Sequence, residues 1–147
     1  MASLLVRPYV PADYLALTAP TSIFFVAPEE AARQYAGHPA FTATVDGVPV
    51  ACAGIVIYWP GVAESWAVLS DSGRAHGYFV TRSVLRGLVA LVRKHRLHRV
   101  QAKVMAGFTE GRRWVQAMGF EEEALLRAYG PKREDMISYV LFPKEMA

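Results

Sequence analysis

The sequence has one cysteine, Cys52, in 147 residues. A single thiol cannot form an internal disulfide, and this one lies inside an apolar run, so we expect a buried thiol and a reducing compartment. Charge blocks, low-complexity tracts and internal repeats are also absent, which excludes a disordered chain and a solenoid. With 53% hydrophobic residues, a chain of this length predicts one domain, residues 1–147, with a substantial core.

Long apolar segments are lacking as well. The longest, ACAGIVIYW at residues 51–59, is far shorter than the ~20 residues that a membrane helix needs. The first ten residues do not combine a basic region with an apolar stretch; Pro8 interrupts them and Pro11 follows directly. We therefore expect no membrane contact and a cytoplasmic location.

Positive charge exceeds negative charge only slightly, 16 Lys and Arg against 13 Asp and Glu. The one basic cluster, RKHRLHR at 93–99, falls where a long helix should end, and cations there complement the helix dipole. We favour this solvated helix end over a nucleic-acid site. His95 and His98 have no Cys, Asp or Glu nearby to complete a zinc site, so we expect no metal.

The first half of the sequence alternates strand and helix signals. Residues 4–10 predict a strand, and helices should begin at Pro11 and at Pro28, the second ending at Gly37. An apolar connector at 20–26 contains Phe24 and Phe25, which we assign to the core in preference to a binding surface.

A β-meander follows. Asp46-Gly47 between FTATV and VPVACAGIVIYW is typical of a two-residue hairpin turn, and Pro60-Gly61 leads into a third strand at 62–70. On that strand, Glu64, Trp66 and Val68 share one face. Ala63, Ser65, Ala67 and Leu69 share the other.

The second half begins with the turn formers of SDSGRAHGYF at 70–79. Apolar residues at helical spacing then predict a long helix over 77–95, followed by a strand at 98–106. A short helix should have Thr109 as N-cap and end at Gly119, and two strands finish the chain. The order β-α-α-β-β-β-α-β-α-β-β predicts a mixed α/β sheet in which the strands before and after the long helix are parallel.

This order resembles that of the GNAT acetyltransferase superfamily over the whole chain. The family's cofactor motif, Q/R-x-x-G-x-G/A, corresponds to Arg74-Ala75-His76-Gly77-Tyr78-Phe79, with Phe79 in place of a small residue. RRWVQAMGFEEE and YGPKREDMISYVLF resemble the family's closing helix and terminal hairpin. Through WVQAMGFEEE and YGPKRED the chain is also similar to short GNAT-like proteins of tailed bacteriophages, which would imply a virion or assembly component.

The resemblance implies acetyl-CoA as co-substrate, with its pyrophosphate held by residues 74–79. A helix N-terminus offers unpaired N–H groups and partial positive charge to an anion, and Gly77 leaves room for it. Two alternatives are that these glycines only shape a turn and that Phe79 turns its ring into the core. The pantetheine arm would bond the backbone of Ala67, Val68 and Leu69.

Glu64 is the candidate base. The attacking amine must be neutral although its pKa is about 10.4 in water, and Glu64 lies near the strand position where several family members place a glutamate. The alternative is a carboxylate at the rim of the site with no catalytic duty. His76 is a candidate contact to the cofactor.

Two positions depart from the family. Phe108 stands where many members have Asn, and Val115 stands where a tyrosine usually protonates the departing thiolate. Two hypotheses follow: an acetyl-CoA-dependent N-acetyltransferase acting on an amine of a small molecule or protein, or a catalytically degenerate domain used for binding or assembly.

Residues 20–30 and the terminal hairpin would form the acceptor side. Phe24, Phe25 and Trp59 would line that side or form an interface between copies of the chain.

Overall fold

The computed structural model describes residues 2–17 and 27–143. Phe24 and Phe25 lie outside these residues. Seven strands form one sheet in the order β1-β2-β3-β4-β5-β7-β6. The strands are β1 Leu4–Pro8, β2 Ala40–Val45, β3 Val48–Trp59, β4 Val62–Leu69, β5 Arg99–Met105, β6 Glu121–Leu126 and β7 Met136–Leu141. The helices are α1 Pro11–Ala16, α2 Pro28–Ala36, α3 Asp71–Ala75, α4 Gly77–His95 and α5 Thr109–Ala117.

The predicted order of elements is confirmed, with one addition. The stretch interpreted as a turn before the long helix contains the short helix α3, because the Ser70 hydroxyl accepts the Gly73 N–H at 3.1 Å and caps it. His76, at φ −108° and ψ 40°, separates α3 from α4. The prediction of Thr109 as N-cap is wrong by one residue: Phe108 occupies that position, and its apolar side chain makes no capping bond.

The segments that connect neighbouring strands determine whether the strands pair antiparallel or parallel. Asp46 and Gly47 have φ of 51° and 80°, as a tight hairpin turn requires, and join antiparallel β2 and β3. The crossover through α3 and α4 makes β4 and β5 parallel, as predicted. All other neighbouring strands are antiparallel.

Helices cover both faces of the sheet, and the alternation along β4 decides which side chains meet them. Trp66 and Val68 pack with Tyr14 of α1 and with Ala31 and Tyr35 of α2. Ala63 faces the opposite side, in the cluster of α4 and β5 that contains Leu88, Val92, Val100, Ala102 and Val104. The Tyr35 and Trp66 rings stack at 3.5 Å between centroids.

Cys52 is buried in the α1/α2 layer. Its Sγ lies 3.6 Å from the Thr42 hydroxyl oxygen, and burial raises the pKa of the thiol to about 12. The thiol is therefore a core side chain rather than a nucleophile. Within residues 2–17 and 27–143, no helix is both long and apolar enough to cross a membrane.

A buried carboxylate connects the first strand to α1. Asp13 is 4% exposed. It accepts two bonds of 2.7 Å from the Arg7 guanidinium, one of 2.8 Å from the Thr42 hydroxyl and one of 3.0 Å from the Val10 N–H. Burial alone would raise the pKa of Asp13, but these donors outweigh it and hold the pKa below its ordinary value.

Asp13→Asn should therefore destabilise the fold by about 1–3 kcal/mol at pH 7. Because the folded pKa lies below the unfolded one, the contribution is complete above about pH 4 and disappears as the pH falls through the folded pKa. Urea unfolding at pH 7 and at pH 3 measures this, with exposed Asp71→Asn as control. A stability gap that stays constant between the two pH values would contradict it.

Candidate functional site

The parallel strands β4 and β5 are paired at one end and separate toward the other. Only Val62, Ala63 and Glu64 are paired with β5, through Arg99, Val100 and Gln101. Further on, β4 stays paired with β3 as far as Leu69, and β5 stays paired with β7 as far as Met105. Every second residue beyond the paired segment therefore turns its N–H and C=O into an opening between the two strands.

A cavity of about 540 Å³ occupies this opening. Ser65, Trp66 and Ala67 line it from β4, and residues 102–105 line it from β5. On one face of the sheet it is bounded by α4 and α5, through Val84, Leu88, Leu91, Gly111, Trp114, Val115 and Met118. On the other it reaches Tyr14 of α1 and Pro28 of α2, and Pro131, Lys132 and Glu134 of the β6–β7 loop also line it. The cavity is thus lined from both faces of the sheet.

Glu64 is almost completely buried, with 3% exposure. Its Oε1 accepts bonds from Lys103 Nζ at 2.5 Å, the Tyr58 hydroxyl at 2.9 Å and Gln101 Nε2 at 3.3 Å. Burial and the carboxylate beside it raise the pKa of Tyr58, so its hydroxyl stays protonated and donates. All three bonds go to Oε1, and none of them uses Oε2.

Lys103 connects this carboxylate to the cavity. Its side chain is 17% exposed and lines the cavity, and its ammonium also lies 5.9 Å from the centre of the Tyr129 ring. Glu64 itself is not among the lining residues. The sequence analysis selected Glu64 but missed Lys103, its partner from the neighbouring strand.

Two buried polar atoms of the cavity walls have no hydrogen-bond partner among the described residues: Trp66 Nε1 and Glu134 Oε1. The indole N–H can only donate a hydrogen bond. An oxygen of an ionised carboxylate can only accept one. Buried groups of this kind are costly when unpaired, and in native proteins they call for an explanation. Neither was predicted from the sequence.

The start of α4 contains two glycines with different surroundings. A Cβ on Gly73 would collide with the Val50 carbonyl oxygen, so the fold itself requires glycine there. A Cβ on Gly77 would have no atom within 4 Å, and its φ is not in the left-handed region. Nothing in the fold therefore requires glycine at 77, where the first turn of α4 has backbone N–H groups without partners inside the helix.

Gly73→Ala is expected to lower the free energy of unfolding by about 1–3 kcal/mol. The atom that the new Cβ would meet is the carbonyl oxygen of Val50, which is part of the sheet backbone and cannot move aside. In a domain of this size that corresponds to a fall in Tm of several degrees. Calorimetric melting of Gly73→Ala beside Gly77→Ala measures it. Equal melting temperatures for the two variants would contradict the distinction between them.

The other motif residues lie along this helix start. Arg74 and Ala75 are exposed in α3, and Arg74 Nη1 lies 3.6 Å from Glu110 Oε2 of α5. His76 Nδ1 lies 3.0 Å from the Ser72 carbonyl oxygen, and Tyr78 is 81% exposed. The Phe79 ring packs into the core cluster of Val80 and Val84, in line with the alternative in which it turns away from the ligand side.

The two departures from the family pattern both line the cavity. Phe108 lies against Gly111, and Val115 is buried. The Tyr139 hydroxyl accepts a bond of 3.1 Å from Arg112 Nε, and Tyr139 is fully buried. Trp114 Nε1 donates to the Thr81 hydroxyl at 2.8 Å and joins α5 to α4. Among the described residues, no three His, Cys, Asp or Glu side chains come together as a metal site would require.

Comparisons with known proteins concern this same architecture. No protein-family model and no curated protein matches the sequence. The acetyltransferase of the GNAT family from Bacillus anthracis matches 97% of this chain and 96% of its own, with 17% identity and a TM-score of 0.73. The chain has the GNAT fold.

Two further structures share it. The structure of yncA from Salmonella typhimurium, solved with its cofactor acetyl-CoA, matches 97% of this chain and 95% of its own, with 17% identity and a TM-score of 0.74. The ribosomal-protein-alanine N-acetyltransferase from Brucella melitensis matches 94% and 99%, with 22% identity and a TM-score of 0.72. In this chain the cavity lies where strands β4 and β5 of the GNAT fold separate.

Proposed function

We propose that the protein is an N-acetyltransferase that moves the acetyl group of acetyl-CoA to a primary amine. The observation that carries the proposal is the cavity between the separated ends of β4 and β5. Because it is lined from both faces of the sheet, a cofactor and an acceptor entering from opposite faces can meet inside it. The GNAT structures that share the fold support the same reaction class.

The cofactor would bind on the α4/α5 face. The first turn of α4 offers N–H groups and the positive end of the helix dipole to the pyrophosphate. Gly77 leaves space there, and Arg74 and His76 would contact the phosphates, with Ala75, Tyr78 and Phe79 contributing backbone. By resemblance to the family, the backbone of Ala67, Val68 and Leu69 would hold the pantetheine arm and polarise the thioester carbonyl.

Acetyl transfer then needs a neutral amine. The amine nitrogen attacks the thioester carbon, the new C–N bond forms, and the C–S bond breaks with CoA leaving as thiolate. The proton released from nitrogen passes through a water molecule to the Glu64 carboxylate, which does not itself line the cavity. Lys103, Tyr58 and Gln101 keep the charge on Oε1 and hold the carboxylate in place. Water protonates the thiolate, since Val115 cannot.

Release of CoA thiol from acetyl-CoA in the presence of a panel of primary amines tests the proposal. Release that requires an amine, together with a product 42 mass units heavier than that amine, is the expected result. Binding of acetyl-CoA without turnover of any amine would refute the reaction.

A second candidate function has an observation of its own. Phe108 and Val115 give the cavity apolar walls where family members have polar groups, as a catalytically degenerate domain kept for binding a partner would. Turnover of an amine excludes this alternative, and its absence with intact folding favours it.

A further inference from the structure

The strand β1 forms one edge of the sheet, and in the described part of the chain it pairs only with β2. The Tyr9 N–H, just after β1, donates to the Ala40 carbonyl at 3.3 Å, so the odd-numbered residues here turn their backbone groups toward β2. Because this orientation alternates along an antiparallel strand, Leu4 and Val6 turn their N–H and C=O groups away from the sheet. The edge therefore offers donors and acceptors in fixed positions to a further strand.

The side chains of β1 are apolar and exposed on both faces of the sheet. Leu4 and Val6 lie on the α4 face, since the β2 residues opposite them pack with Val80 and Val84 of α4. They are nevertheless 43% and 48% exposed, so α4 does not cover them. Leu5, on the other face, is 60% exposed. A strand with these side chains and an open edge pairs readily with another strand.

The opposite edge of the sheet, β6, has a different character. It carries three exposed glutamates, Glu121, Glu122 and Glu123, and charged side chains of this kind protect an edge strand from pairing with other chains. The one charged residue of β1 is Arg7, and its guanidinium is bonded to the Asp13 carboxylate at 2.7 Å. The edge at β1 thus lacks the charge that protects β6, and two copies of it can approach without like-charge repulsion.

We propose that β1 pairs antiparallel with β1 of a second copy of this chain about a two-fold axis, so that the two seven-stranded sheets become one. A two-fold contact requires a surface that complements itself, and this edge meets the requirement. With Leu5 on the axis, Leu4 of one copy lies opposite Val6 of the other, and each such pair exchanges two N–H···O bonds. The two Leu5 side chains then lie directly opposite each other, as a non-hydrogen-bonded pair whose side chains are close.

This register also keeps the two Arg7 side chains apart, because each lies opposite Ser3 of the other copy. A head-to-tail pairing of β1 with β6 would set glutamates against leucines, and such a contact leads to an open filament unless its rotation closes a ring. The dimer does not depend on the proposed function, since β2 and β3 separate β1 from the opening between β4 and β5.

Sedimentation equilibrium tests the inference. The parent should have about twice the chain mass of 16.2 kDa. Leu5→Lys and Leu5→Glu each place like charges opposite each other on the axis, so each variant alone should be monomeric. An equimolar mixture of the two should form a dimer with one copy of each, because the lysine then lies opposite the glutamate. Thermal melting verifies that each variant is folded, as the exposure of Leu5 leads us to expect.

Val6→Pro provides a second variant, because proline removes the outward N–H and leaves the bonds to β2 in place. It should weaken the dimer roughly tenfold or more, since one N–H donor is lost from each copy. Leu125→Lys, at a 57% exposed position of β6, is the matched control and should dimerise as the parent does.

A parent that stays monomeric at about 1 mM chain, where even a Kd of 1 mM would be visible, would overturn the inference. Dimers of Leu5→Lys and Leu5→Glu as stable as that of the parent would do so too, as would a mixture that forms no heterodimer. Acetyl-CoA affinity should be equal in the monomeric variants and the parent, so a failed cofactor site is distinguished from a failed interface.

Discussion

Gly77→Glu should weaken acetyl-CoA binding by about 100-fold or more while leaving the stability of the fold unchanged. That loss corresponds to at least about 2.7 kcal/mol of binding free energy. The new side chain would place bulk and a negative charge at the start of α4, where the pyrophosphate is expected to approach the backbone. The fold should tolerate it, because a Cβ at this position has no atom within 4 Å.

Isothermal titration of acetyl-CoA into parent and variant measures the loss, and thermal melting without ligand measures the stability. Gly37→Glu is the matched control, since Gly37 ends α2 on the other face of the sheet and a Cβ there would make only an ordinary contact of 3.5 Å. Equal affinities in the parent and both variants would show that the start of α4 does not hold the cofactor.

Lys103→Met should destabilise the protein by about 3 kcal/mol, because it leaves the Glu64 carboxylate buried without its cation. Glu64→Gln should destabilise it less, since Lys103 retains some solvent exposure and the Tyr129 ring. The double variant should recover much of the loss. The coupling free energy from a cycle of urea unfolding experiments measures the strength of the pair.

The same cycle separates the two interpretations of Glu64. If Glu64 is the base, Glu64→Gln should lower kcat by about 10²-fold or more with unchanged acetyl-CoA affinity, and the stable double variant should stay equally inactive. If Glu64 only balances the charge of Lys103, activity should return with stability in the double variant. Recovery of kcat there would remove Glu64 from the mechanism.

The local parts of the fold could be predicted from the sequence because they depend on neighbouring residues. Asp46-Gly47 predicted its hairpin turn, and the apolar spacing over 77–95 predicted α4 from Gly77 to His95. The short helix α3 was missed because Ser70, Asp71 and Gly73 are typical of both turns and helix starts.

The polar centre of the site depends on register between distant segments, and no local pattern gives that. Glu64 was found because it is a charged residue on an otherwise apolar strand. Lys103 has the same character, but its partnership with Glu64 requires the pairing of Glu64 with Gln101.

Titration of the parent protein with acetyl-CoA, together with its melting temperature at saturating ligand, is the most direct test of the proposed function. One-to-one binding is expected. A ligand concentration about 100 times the Kd should add roughly 2.7 kcal/mol of stability, which raises Tm by several degrees in a domain of this size. The absence of both binding heat and a Tm shift at millimolar acetyl-CoA would contradict the proposal, and the cavity between β4 and β5 would then be a site for a different ligand.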